Sequence, residues 1–98
     1  MKTVSYKETL HDRLADPEYA AGYLNECLEE GEDVFLLALR DVVEANGGVG
    51  YLSKGTKLNR ESLYRLLSKE GNPRLSSLSA ILESVGLQIH FTPKAEAA

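Results

Sequence analysis

Arg60 and Arg65, set among Asn59, Ser62, Tyr64 and Lys69, are the residues of this chain best suited to chemistry. That chemistry is recognition rather than bond-breaking. A guanidinium can meet the O6 and N7 acceptors of a guanine with two hydrogen bonds at once. Asn59 and Ser62 carry groups that reach base edges or phosphates. Lys54, Lys57 and Arg74 flank this run and suit contacts to a phosphate backbone. Between Lys54 and Arg74 six bases stand against two acids, a net of +4, in a chain of net charge -4. Basic side chains gathered in this way form the electrostatic footprint that nucleic-acid attraction requires.

The rest of the chain offers little to a reaction. His11 and His90 lie far apart with no carboxylate or cysteine pattern around either, so each reads as an ordinary histidine. Cys27 stands alone, which leaves neither an intrachain disulfide nor a cysteine zinc site. It falls on an apolar helix face and reads as a small buried hydrophobe. No phosphate-cradling glycine loop, metal-spaced cluster or nucleophile–base arrangement occurs, so no catalytic residue, metal or cofactor is expected. A signal-like leader and a span of transmembrane length are also missing from the pattern, and the expected location is cytoplasmic.

Charge divides the molecule. Residues 1–46 hold four Lys and Arg against eleven acids, a net of -7, while residues 47–98 hold seven against four, a net of +3. A basic half can follow a phosphate backbone. An acidic half cannot, and the run Glu26, Glu29, Glu30, Glu32 and Asp33 is either a solvated helix end or a surface for a basic partner.

The elements that must hold these residues follow from pattern. Ninety-eight residues with 43% hydrophobic content fit one small domain. Tyr6–Leu14 reads as a short helix, and Asp16-Pro17 as a cap and first turn for a second helix reaching Glu30, where Gly31 stops it. On that helix Tyr19, Ala20, Tyr23, Leu24, Cys27 and Leu28 form the inward face. Asp33 caps a central helix over Val34–Asn46, with Phe35, Leu36, Leu39, Val42 and Val43 inward, and Asn46-Gly47-Gly48 breaks it. A short helix over Val49–Gly55 precedes one capped by Asn59 and running to Lys69, stopped by Gly71-Asn72-Pro73. Ser76 or Ser77 caps the last helix, which runs to Val85 with Leu78, Ile81, Leu82 and Val85 inward and is closed by Gly86. Residues 1–5 and 93–98 read as loose ends.

Helices over 49–55 and 59–69 around a tight turn have the form of a helix-turn-helix. In that motif the first helix crosses the DNA backbone and the second lies in the major groove. Ser53 supplies the small residue, Leu58 follows the turn, and Leu63, Leu66 and Leu67 face the core. Lys57 then occupies the place that usually takes glycine, with Gly55 two residues early. Either Lys57 adopts a left-handed conformation or the turn is built differently. Two amphipathic helices about a glycine also occur in ordinary bundles, so a helical interaction module without DNA binding stands beside the DNA reader.

Leu87-Gln88-Ile89-His90-Phe91 alternates apolar and polar, the period of a strand with one buried face. A lone strand cannot satisfy its own backbone groups, and no second strand is evident. The expectation is a homodimer paired through Leu87, Ile89 and Phe91.

Several ordered segments carry a resemblance. They are Asp16-Pro17-Glu18-Tyr19-Ala20-Ala21 with Tyr23-Leu24-Asn25, Ala38-Leu39-Arg40-Asp41-Val42, Arg60-Glu61-Ser62-Leu63-Tyr64, Gly71-Asn72-Pro73 and Leu82 to Leu87. In these the chain resembles the addiction-module antidote (antitoxin) proteins of the Xre-like helix-turn-helix class, whose partners are RelE/HigB-like toxins. The likeness spans about residues 6 to 91. It implies an all-α, lambda-repressor-like domain of five or six helices, here with a short C-terminal β-strand. It divides into acidic N-terminal helices over 6–46, a helix-turn-helix region over 47–86 and the strand over 87–91. It further implies binding to operator DNA, with Arg60, Ser62, Tyr64 and Arg65 as contacts, and neutralisation of a toxin. A stand-alone phage-type repressor is the alternative within the same fold.

Overall fold

The computed structural model describes residues 6–95, so of the loose ends expected at 1–5 and 93–98, residues 1–5 and 96–98 lie outside the described residues. Six helices follow one another: α1 (Tyr6–Leu14), α2 (Pro17–Glu30), α3 (Glu32–Ala45), α4 (Gly48–Gly55), α5 (Arg60–Leu66) and α6 (Leu75–Ser84). Helix α2 starts as its sequence dictates. Asp16 has extended backbone, its Oδ1 accepts from the Glu18 amide at 3.1 Å, and Pro17 follows where no backbone donor is needed.

Gly31 ends α2 and starts α3 at once, with φ 146°, a value that side chains disfavour. Its carbonyl accepts the Phe35 amide at 3.0 Å. The cap expected from Asp33 is therefore replaced by backbone, and Asp33 lies in the first turn of α3, where its charge complements the helix dipole.

Helix α3 packs against α1, α2 and α4, and α4 in turn contacts α5 and α6. The core between them is formed by residues such as Leu14, Leu24, Leu39, Val42, Leu63 and Ile81, all buried. Val49 and Leu52 of α4 join this cluster. Asn46, which breaks α3, also ties it to α1: its Nδ2 donates to the Val42 carbonyl at 2.8 Å and to the Leu14 carbonyl at 3.3 Å. The Tyr23 hydroxyl donates to Asp41 Oδ2 at 3.3 Å and links α2 to α3.

Several expectations require correction. Tyr19 is exposed rather than in the core, with the Arg13 guanidinium 5.9 Å from its ring centroid. Leu28 is 51% exposed, since the inward face of α2 ends at Cys27. Helix α5 stops at Leu66, three residues before Lys69, and Leu66 itself is only half-buried. The Ser68 hydroxyl donates to the Arg65 carbonyl and the Gly71 amide to the Ser68 carbonyl, so the chain turns there instead of continuing the helix. Helix α6 begins at Leu75, which places Ser76 and Ser77 inside it rather than at its cap.

The strand expected at Leu87–Phe91 is absent: no strand occurs among the described residues. Helices satisfy their own backbone groups and leave no sheet edge for a single extended segment to pair with. The segment leaves the core through a Schellman-type stop. The Leu87 amide donates to the Leu82 carbonyl and the Gly86 amide to the Glu83 carbonyl. Leu87 packs on the core, whereas Ile89 is exposed and Phe91 is 87% exposed.

Gly22, exposed in the middle of α2, has nothing within 4 Å of the position a Cβ would take. Gly22→Ala is expected to stabilise the protein by about 0.5–1 kcal/mol, because alanine loses less backbone freedom on folding. A thermal melt checks it; an unchanged or lowered Tm would contradict it.

Candidate nucleic-acid interface

Helices α4 and α5 meet at a turn that needs no left-handed residue. No non-glycine among the described residues has positive φ, so Lys57 is unstrained. Thr56 builds the turn instead. Its backbone is extended, its hydroxyl donates to the Leu52 carbonyl at 3.1 Å, and the same oxygen accepts the Leu58 amide at 3.2 Å. The chain is thus delivered to Asn59, whose Oδ1 accepts the Ser62 amide at 2.8 Å and caps α5. Leu63 and Leu67, both fully buried, fix the rotation of α5 on the core.

With α5 held in this way, its polar residues take distinct positions. Arg60 is exposed, and its guanidinium lies over Gly50 of α4, about 4 Å from where a Cβ there would stand. Arg65 is exposed, and its Nη2 donates to the Ser62 hydroxyl at 3.5 Å, one turn back along the helix. Asn59 is engaged as the cap, which leaves its amide nitrogen for an outside partner. Tyr64 points toward α3: the Arg40 guanidinium stands 5.4 Å from its ring centroid. Lys54 closes α4, Lys57 sits in the turn, Lys69 follows α5 and Arg74 precedes α6, all four exposed. None of Lys54, Lys57, Arg60, Lys69 and Arg74 forms an ion pair among the described residues. The surface therefore presents cations that are not neutralised within the described chain, the condition for counterion release on phosphates.

The structure also brings forward residues that the sequence reading did not select. Arg40 adds a cation beside α5 from 24 positions earlier, a proximity that no local pattern signals. Tyr51, on α4 one turn before Lys54, is 67% exposed beside these cations. Glu61 is an exposed acid in the first turn of α5, where it complements the helix dipole and locally opposes phosphate.

Elsewhere the chemistry is structural. Burial pushes the Cys27 thiol up from its ordinary value, and the carboxylates of Glu30, Glu26 and Asp41 add to the effect. A thiol held neutral in this way is a core side chain rather than a nucleophile. Among the described residues no group of three or more His, Cys, Asp or Glu is placed to hold a metal ion, and no helix is long and apolar enough to cross a membrane.

Residues 5–93 match the family described as probable addiction module antidote protein. A Haemophilus influenzae protein that bears only the description uncharacterized is 31% identical over 78 residues, 79% of either chain. No solved structure gives a significant match.

Proposed function

From the premise that the chain belongs to the probable addiction module antidote family, we propose that it is a DNA-binding antitoxin that represses its own operon. An antidote implies a toxin, and such a family is regulatory rather than enzymatic. In this reading the toxin is RelE/HigB-like, and both partners act in the cytoplasm. Helix α4 crosses the phosphate backbone of the operator and α5 enters the major groove. Arg60 and Arg65 read base edges, Ser62 and the free end of Asn59 assist them, and Tyr64 packs beside them against Arg40. Lys54, Lys57, Lys69 and Arg74 bind phosphates and fix the register.

One observation carries the DNA half of this reading: these cations are exposed and unneutralised around a helix pair whose turn and cap are fully bonded. The toxin half rests on family membership. The exposure of Ile89 and Phe91, just past the point where Leu87 leaves the core, supports a homodimer in which two copies cover each other's apolar tails. Such a dimer would present two α5 helices to a two-fold operator.

A gel shift on the DNA upstream of its own gene tests the repressor function. The expected result is a retarded band that weakens steeply between about 50 and 200 mM salt, as phosphate neutralisation demands. No shift at low salt would sink the DNA-binding reading.

A further inference from the structure

The last turn of α2, the first turns of α3 and the loop over 71–73 form a cleft of about 190 Å³ where the acidic N-terminal helices meet the C-terminal half, with exposed Arg74 just past its far wall. Its lining is mostly apolar, with Leu28, Phe35, Leu36, Pro73 and Leu78 joined by Gly71 and the polar Glu32 and Asn72. Leu36 is buried yet lies outside the main core cluster, so it serves this cleft rather than the centre of the fold. Leu28 remains 51% exposed in the cleft, and Leu75, two residues beyond Pro73, is 71% exposed. Leucines left this open beside an apolar hollow mark a surface that a partner covers.

Charge indicates which partner. Glu26, Glu29, Glu30, Glu32 and Asp33 are all exposed around the same helix ends, and none of them forms an ion pair among the described residues. A complementary occupant presents an apolar side chain to the cleft and several basic residues to its acidic surroundings. The protein's own apolar tail is a poor match, because Ile89 and Phe91 are accompanied by one fixed positive charge, Lys94. The DNA surface is also a poor match, being built to meet phosphate.

We propose that this cleft is the docking site of the toxin, entered by a basic segment of the toxin that carries an apolar anchor. The proposal rests on the antitoxin reading and adds the surface and the chemistry of contact. The apolar cleft holds the complex together, and the carboxylates accelerate its formation.

The test measures binding of the purified product of the gene adjoining the protein's own, expected to be the toxin, to the wild-type protein, to Leu28→Arg and to the pair Glu29→Lys with Glu32→Lys. All three substituted positions are exposed, so the folded state is expected to survive, as a thermal melt will verify. Leu28→Arg should weaken toxin binding by at least about tenfold, mainly through faster dissociation. The glutamate pair should slow association at low salt and flatten its salt dependence, with little change in dissociation. Unchanged toxin affinity in Leu28→Arg, beside a wild-type protein that binds, overturns the cleft alone. A change in self-association without a change in toxin affinity also overturns it, by assigning the cleft to a second copy. If the wild type itself does not bind, the antitoxin reading fails and the cleft proposal falls with it.

Discussion

Gly71→Ala is expected to destabilise the protein by about 3 kcal/mol, the upper end of what forcing extra atoms into a packed site costs. A Cβ at Gly71 would stand 2.8 Å from the Leu66 carbonyl carbon and 3.0 Å from the Arg65 carbonyl oxygen, with the Leu66 oxygen closer still. These are backbone atoms of the last turn of α5 and cannot rotate away as a side chain tip would. Relief requires moving that turn, yet Leu63 and Leu67 on either side of it are fully buried. For a domain of this size the loss corresponds to a fall in Tm of roughly 12–24 °C, at 4–8 °C for each kcal/mol. Gly55→Ala is the matched control, since nothing lies within 4 Å of its Cβ position. A Gly71→Ala variant that melts within a degree or two of wild type would contradict the close approach on which the turn depends.

The double variant Arg60→Ala with Arg65→Ala is expected to weaken binding to the protein's own upstream DNA by about 2–6 kcal/mol. That follows from about 1–3 kcal/mol for each base-reading arginine and corresponds to at least a thirtyfold loss. The loss should be confined to the operator, with affinity for unrelated DNA reduced much less. Lys57→Ala should behave in the opposite way, weakening all sequences alike and lowering the salt slope by about 1. This contrast separates reading from positioning. Gel-shift affinity for the operator that is unchanged in the double variant would remove α5 as the reader. Folding is not at stake in the comparison, because both arginines are exposed and the hydrogen bonding of their side chains within the described chain is confined to the Arg65–Ser62 contact.

What the sequence made legible was local. Asp16-Pro17 specified the start of α2 because a carboxylate cap and a proline act within three residues of each other. The apolar stripe of α3 specified its buried face because a helix repeats every 3.6 residues. Features set by distant neighbours were not legible. The end of α5 is fixed by the approach of Gly71 to the Leu66 carbonyl, which a helical rhythm running on to Lys69 cannot convey. The exposure of Leu28 and Tyr19 depends on how far neighbouring elements extend over α2, and periodicity marks a face without its width. The turn at 56–58 depends on one hydroxyl bonding in two directions, which allowed Lys57 to stand where glycine was expected. The segment over Leu87–Phe91 has a two-residue period, but a period states that an extended segment has two faces, not that anything pairs with it.

The candidate interface was legible as an inventory of cations and less so as an arrangement. The Asn59 cap was readable from its sequence position, but the turn of Tyr64 toward Arg40 and the place of Lys69 beyond the end of α5 were not. The latter two depend on rotation and length of α5, which only the packed structure fixes.

Co-expression with the product of the adjoining gene tests the central claim most directly, read as growth and as co-purification. The account predicts that this product alone arrests growth, that the present protein restores it, and that the two purify together. Arrest that persists when this protein is expressed alongside would contradict the account.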